Sequence, residues 1–156
     1  MIYDFDCQNQ IEAKYAPIIK QYLRETIGEP EDVRTQMLEY DFKVGELRFD
    51  LKVDTLMSST TNFFIETESV KLVKKGWLYN QNVDVILYLD FKNQFLYWLD
   101  LKRLRHFEPR IRQWPFKTVQ NKDWVTGGHT VPIATIAKLG VIRQVKIFSS
   151  SVMEAT

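Results

Sequence analysis

An acidic residue followed two positions later by lysine recurs five times in this chain: Glu12-Ala13-Lys14, Asp41-Phe42-Lys43, Asp50-Leu51-Lys52, Asp90-Phe91-Lys92 and Asp100-Leu101-Lys102. On a strand, residues i and i+2 share a face. A carboxylate there can hold a hard cation, and the lysine beside it can polarise a phosphate or activate a water. Singly the tripeptide says little, because any charged strand generates it by alternation. Register separates the five. From 36 to 54 apolar residues alternate at Leu38, Tyr40, Phe42 and Val44, then at Leu47, Phe49, Leu51 and Val53, on either side of Gly45-Glu46. A two-residue turn there, with glycine first as a type II′ turn prefers, pairs Val44 with Leu47. Asp41 then lies opposite Asp50, Glu39 faces Lys52, and Lys43 faces Arg48.

Directly opposed side chains have Cβ atoms roughly 4.5–5.5 Å apart, close enough for two carboxylates to share one divalent ion. They also repel, and each raises the other's pKa unless a cation or ammonium group neutralises them. The rival set fails this test. With a turn at Lys92-Asn93, Asp90 faces Phe95 and Asp100 faces Val85, which separates the two acids by roughly 16 Å along the strand. A plain alternative also fits the first hairpin: a sheet with one face in the core carries a charged, solvated outer face, stabilised by mixed cross-strand pairs.

The elements that must position these groups follow from periodicity. Ile11, Tyr15, Ile18, Ile19, Tyr22 and Leu23 have the spacing of an amphipathic helix from about 9 to 27, stopped by Gly28-Glu29-Pro30. A third strand is expected over 62–68. A second hairpin joins VDVILYLD to QFLYWLD, and a short helix follows at 100–105. The segment 107–130, rich in Arg, Trp, Pro and Gly, reads mostly as loop. Apolar runs at 131–139 and 141–148 close one domain, 1–148, leaving 149–156 as a mobile tail. The whole is an α/β (α+β) chain with a mixed, largely antiparallel sheet flanked by helices.

Composition narrows the partners. The chain has 156 residues, 21 Lys+Arg against 20 Asp+Glu, 45% apolar residues and one cysteine. That suffices for a core and excludes disordered, collagenous and disulfide-scaffold classes. Cys7 alone cannot build a thiolate zinc cluster, and no apolar run approaches membrane-spanning length. Met1 to Asp6 is acidic and unlike a signal peptide, so a cytoplasmic location is expected. Charge is nonetheless segregated. Lys102, Arg103, Arg105, Arg110, Arg112 and Lys117 face one acid, Glu108, with Phe107, Trp114 and Phe116 interleaved. Such a patch suits phosphate contact and base stacking, and equally suits a solvated helix face with capping aromatics. Further candidates are Glu66 and Glu68, which alternate on one strand, and Thr60 and Asn62 at its start. His129 follows Thr126-Gly127-Gly128, a flexible-loop composition, and lacks ligand spacing.

These residues resemble the PD-(D/E)XK nuclease superfamily, and in particular small phage and mobile-element members. The resemblance runs through DLKVDTLMSSTTNFFIETES, KKGWLYNQNVDVILYLD and FLYWLDLKRLRHF, covering about 9–107 and more faintly 131–148. Asp50 stands where glutamate is commoner, and Thr61 where glycine is usual. The resemblance implies a restriction-endonuclease-like core and a Mg²⁺-dependent endodeoxyribonuclease, with Mn²⁺ as substitute and no organic cofactor. By position, Asp41, Asp50 and Lys52 would be catalytic. Asp41, Asp50, the Leu51 carbonyl and Glu12 would hold the metal, and the 102–117 bases would bind DNA. The alternative is a catalytically silent protein of the same fold that binds nucleic acid or a host protein. Homodimerisation is left open.

Overall fold

Burial patterns divide the strands before topology does. The strand Val85–Asp90 is buried at every position, so it must be covered on both faces. Leu47–Asp54 alternates buried apolar with half-exposed polar residues. The computed structural model, which describes residues 5–36, 38–69, 73–120 and 124–148, satisfies both patterns with two sheets. The tail 149–156 lies outside the described residues.

In chain order the elements are α1 (Phe5–Thr26), β1 (Glu31–Asp32), β2 (Phe42–Val44), β3 (Leu47–Asp54), α2 (Met57–Thr60), β4 (Asn62–Ser69), β5 (Lys74–Lys75), β6 (Val85–Asp90), β7 (Phe95–Asp100), α3 (Leu101–His106), α4 (Glu108–Ile111), β8 (Phe116–Gln120), β9 (Val125–Pro132), α5 (Ile133–Lys138) and β10 (Ile142–Ile147). Six strands form one sheet in the order β1-β2-β3-β6-β7-β10, and four form a second in the order β5-β4-β9-β8. Among the described residues only β3 and β6 pair in parallel; the other pairings are antiparallel. The architecture is the expected mixed, largely antiparallel α+β one.

Two cores flank the large sheet. On one side Tyr15, Ile19 and Leu23 of α1 pack against Phe49, Leu51, Leu87 and Trp98. On the other, Ile86, Tyr88, Tyr97 and Leu99 meet Phe63, Ile65 and Val131 of the second sheet, with Leu104 and Ile136 from the helices. The second hairpin has the expected register, with Val85 opposite Asp100 and Asp90 opposite Phe95. Asp100 is the N-cap of α3, accepting from the Arg103 amide at 3.1 Å.

Two expectations need correction. The first hairpin strand does not extend back to Leu38: a 3₁₀ turn at Arg34–Gln36 folds the chain, Leu38 is exposed, and β2 has three residues. The alternation at Leu38 and Tyr40 accompanies a turn, and periodicity alone does not distinguish the two. Nor is 107–130 mostly loop, since it contains α4, β8 and the start of β9. Gly128 serves close packing: a Cβ there would stand 2.5 Å from the Ile65 carbonyl oxygen of the paired strand. His129 is accordingly buried within β9, its Nδ1 2.8 Å from the Trp114 carbonyl oxygen. Thr61 has φ 56 and ψ 25, a left-handed conformation that a residue with a branched Cβ adopts at a cost.

Gly128→Ala should therefore cost at least about 2 kcal/mol, because the backbone atoms it meets cannot swing away as a side chain does. Urea unfolding of wild type and variant checks it; equal midpoints would show that β9 can shift away from β4.

Candidate functional site

The site begins where the hairpin ladder stops. Gly45 has φ +57 while Glu46 does not share the positive φ, the type II′ combination, so Val44 pairs with Leu47 and Lys43 with Arg48 as the sequence predicts. The last rung is Phe42 with Phe49. Asp41 then also faces Phe49, its amide donating to that carbonyl at 2.8 Å, which makes a bulge of two residues against one. Its own carbonyl accepts from the Val33 amide at 2.9 Å. The next outward-facing amide on β3, that of Leu51, has lost its strand partner. The Asp41 carboxylate replaces it, Oδ2 accepting from Leu51 N at 2.8 Å.

Asp41 thus reaches Asp50 through its side chain, not as an opposed ladder pair, and the two carboxyl groups lie within hydrogen-bonding reach. The expected pairing of Glu39 with Lys52 is absent. Beyond the bulge Glu39 turns to Asn82, whose side-chain amide donates to its carboxylate, while Asn80 Nδ2 donates to its carbonyl at 3.1 Å. Lys52 instead places Nζ 3.0 Å from Asp50 Oδ2. The Asp50 side chain is 13% exposed and that of Lys52 36%, so the carboxylate is covered and the lysine side chain only partly so.

Two further acids join from other elements. Glu12 lies three, four and seven residues before the buried Tyr15, Ala16 and Ile19, on the inward stripe of α1. Glu66 comes from β4 in the second sheet and accepts from the Trp77 backbone amide. Burial dominates the proton affinity of all three raised acids. It pushes Asp41 to about 8, helped by the charge of Asp50 and opposed by the Leu51 amide. Glu12 rises to about 7, with Asp50 adding and Lys52 and Arg34 opposing. Glu66 rises too, against the pull of Lys52. Burial works against the charge on Lys52, but Asp50, Glu66 and Asp41 outweigh it, and the ammonium is held protonated well above neutral pH.

Asp41 and Asp50 are hard oxygen donors in contact, a pairing that suits Mg²⁺, which binds through one or two carboxylates and retains several waters. Among the described residues no three His, Cys, Asp or Glu side chains are gathered tightly enough to cage an ion. The donor set fits an ion held by two carboxylates and water, with Glu12 at longer range.

The other candidates are dispersed. Arg103 donates to the Leu139 carbonyl and lies over the Phe107 ring, as does Arg110. Arg105 donates to the carbonyls of Leu78 and Asn80, and Arg112 bonds Glu108 and Tyr79. Lys102 and Lys117 are exposed. Thr60 Oγ1 accepts from the Asn62 amide at 3.3 Å, a turn contact. Asn62 is four residues from Glu66, roughly 13 Å along the strand. Glu68 pairs with Lys75 and Gly127 in the second sheet. Arg34, which sequence reasoning passed over, bonds Asp32 through Nε and Nη2 at 2.9 and 2.7 Å and puts its charge near Asp41 and Glu12. It sits in an unpatterned turn, which gives no periodic signal.

No family model, curated protein or solved structure matches the chain.

An acid whose pKa is raised by folding binds its proton more tightly in the native state. Its contribution therefore falls as pH rises from the unfolded value towards the folded one. Between pH 4.5 and 8 wild-type stability should decline, and Asp41→Asn, which keeps an oxygen for the Leu51 amide, should flatten that decline. Denaturant midpoints across this range test it; identical slopes would mean that Asp41 carries no proton in the folded protein.

Proposed function

We propose that the protein is a divalent-metal-dependent DNA nuclease that hydrolyses phosphodiester bonds, of phage or mobile-element origin. One observation carries the reading: the Asp41 and Asp50 carboxyl groups meet at the interrupted edge of β3 with the Lys52 ammonium 3.0 Å from Asp50. The resemblance to the PD-(D/E)XK superfamily supports it, since Asp41, Asp50 and Lys52 are the positions that match its motif. Asp41 and Asp50, with Glu12 and the Leu51 carbonyl, would hold Mg²⁺ or Mn²⁺. Bound there, the ion would supply Lewis acidity towards a phosphate oxygen and a more acidic water.

The chain's own groups divide the remaining work. Lys52 stays protonated, so it acts as a cation and hydrogen-bond donor towards the charge developing on the phosphate and not as the base. Exposed cations outside the site, Lys102, Arg110 and Lys117 among them, are available to the DNA backbone.

A second reading is favoured by the same ion pair. Lys52 already has its partner in Asp50, and no three-carboxylate cage is present among the described residues. Both features suit a catalytically silent protein of this fold that binds nucleic acid or a host protein. Incubation with linear, circular, single-stranded and branched DNA in Mg²⁺ separates the two. The nuclease reading expects cleavage that Asp41→Asn, Asp50→Asn and Lys52→Ala each reduce by about 100-fold or more. Cleavage left intact in all three variants would sink it, as would calorimetry showing no Mn²⁺ binding to the wild type.

A further inference from the structure

Away from the acidic centre, a groove of about 650 Å³ opens at the end of the large sheet where β3 and β6 begin and β7 ends. Its floor is apolar, made by Val83, Val85 and Trp98. Two acids and three cations border it: Asp84, Asp100, Lys102, Arg105 and Arg143. Both acids are already neutralised. Asp84 accepts from the Arg48 amide at 2.8 Å and from its guanidinium at 3.1 and 3.2 Å. Asp100 accepts from Arg143 at 2.9 and 3.3 Å, besides capping α3.

Two cations are then left over. Arg105 donates only to neutral carbonyls, those of Leu78 and Asn80, and among the described residues neither it nor the exposed Lys102 forms an ion pair. An exposed ammonium, and a guanidinium that feels Asp84 and Asp100 without direct contact, leave a positive edge above an apolar floor, which fits an anion with a hydrophobic body. Guanidinium and ammonium donors match phosphate oxygens, and the volume lies within the range of about 300–1,000 Å³ usual for small-ligand sites. We propose that this groove binds a nucleoside phosphate, either as a free nucleotide or as one unit of a nucleic-acid strand. Lys102 and Arg105 take the phosphate, Arg143 from β10 keeps Asp100 from repelling it, and the sugar and base lie on the floor. The groove does not require the acidic centre to be hydrolytic.

Binding is measured in EDTA, so cleavage plays no part and failure of the nuclease reading leaves the result interpretable. The probes are thymidine 5′-monophosphate by calorimetry and a labelled thymidine 12-mer by fluorescence anisotropy. Lys102→Glu changes an exposed side chain and should weaken binding by about tenfold. The pair Lys102→Ala with Arg143→Ala should lose at least as much, and flatten the salt dependence by about one unit of slope per charge removed. Circular dichroism confirms the fold of the double variant. Groove-dependent binding of the mononucleotide identifies a free nucleotide as the ligand; groove-dependent binding of the 12-mer alone identifies a strand. No binding of either probe by the wild type, or equal binding by Lys102→Glu and wild type, overturns the proposal.

Discussion

The hydrogen bond from the Leu51 amide to the Asp41 carboxylate is the contact on which the candidate site depends. A strand edge that loses its neighbour leaves an amide to be satisfied, and leaving such a donor unpaired when buried costs about 1–3 kcal/mol. Here the ladder between β2 and β3 ends at Phe42 and Phe49, and the side chain of the bulged residue meets the obligation. One bond therefore closes the sheet edge and also anchors a carboxyl group beside Asp50. The Val33 amide, bound to the Asp41 carbonyl, holds the same residue from the other side.

That anchoring explains the electrostatics. Two acids in contact, with Glu12 from α1 and Glu66 from β4 near by, form a strained arrangement of like charges under partial burial. It is relieved in two ways: protons stay on Asp41 and Glu12 to unusually high pH, and Lys52 supplies a fixed positive charge. The like charges remain a cost, offset in part by the Asp41 bond to the Leu51 amide and for the rest by packing elsewhere. The fully buried β6, sandwiched between α1 and the second sheet, supplies that packing.

Much of this was legible beforehand, for reasons that differ by element. The α1 stripe, the Gly45-Glu46 turn and the register of the second hairpin follow from local periodicity and turn chemistry, which act over a few residues. The proximity of Asp41 and Asp50 was legible too, although its route was not: an unbroken ladder was expected, and a bulge with a side-chain cap is present. Bulges leave little trace in an alternating pattern, since Leu38 and Tyr40 keep the alternation going outside any strand. The role of Gly128 was hidden because glycine in sequence signals a turn and close backbone approach alike.

By itself the amino-acid order determined which residues could do chemistry and which of them lie within a hairpin's reach of one another, because turn type and side-chain alternation are local properties. The second sheet was decided only by tertiary structure. It brought Glu66 to Lys52 and buried His129, while in the large sheet the pairing of β10 with β7 carried Arg143, far along the chain, to the groove beside Arg105. The reason is physical. Contacts across large sequence separation are selected by burial of whole faces, and the charges carried on those faces are brought along by apolar packing that their own spacing does not encode.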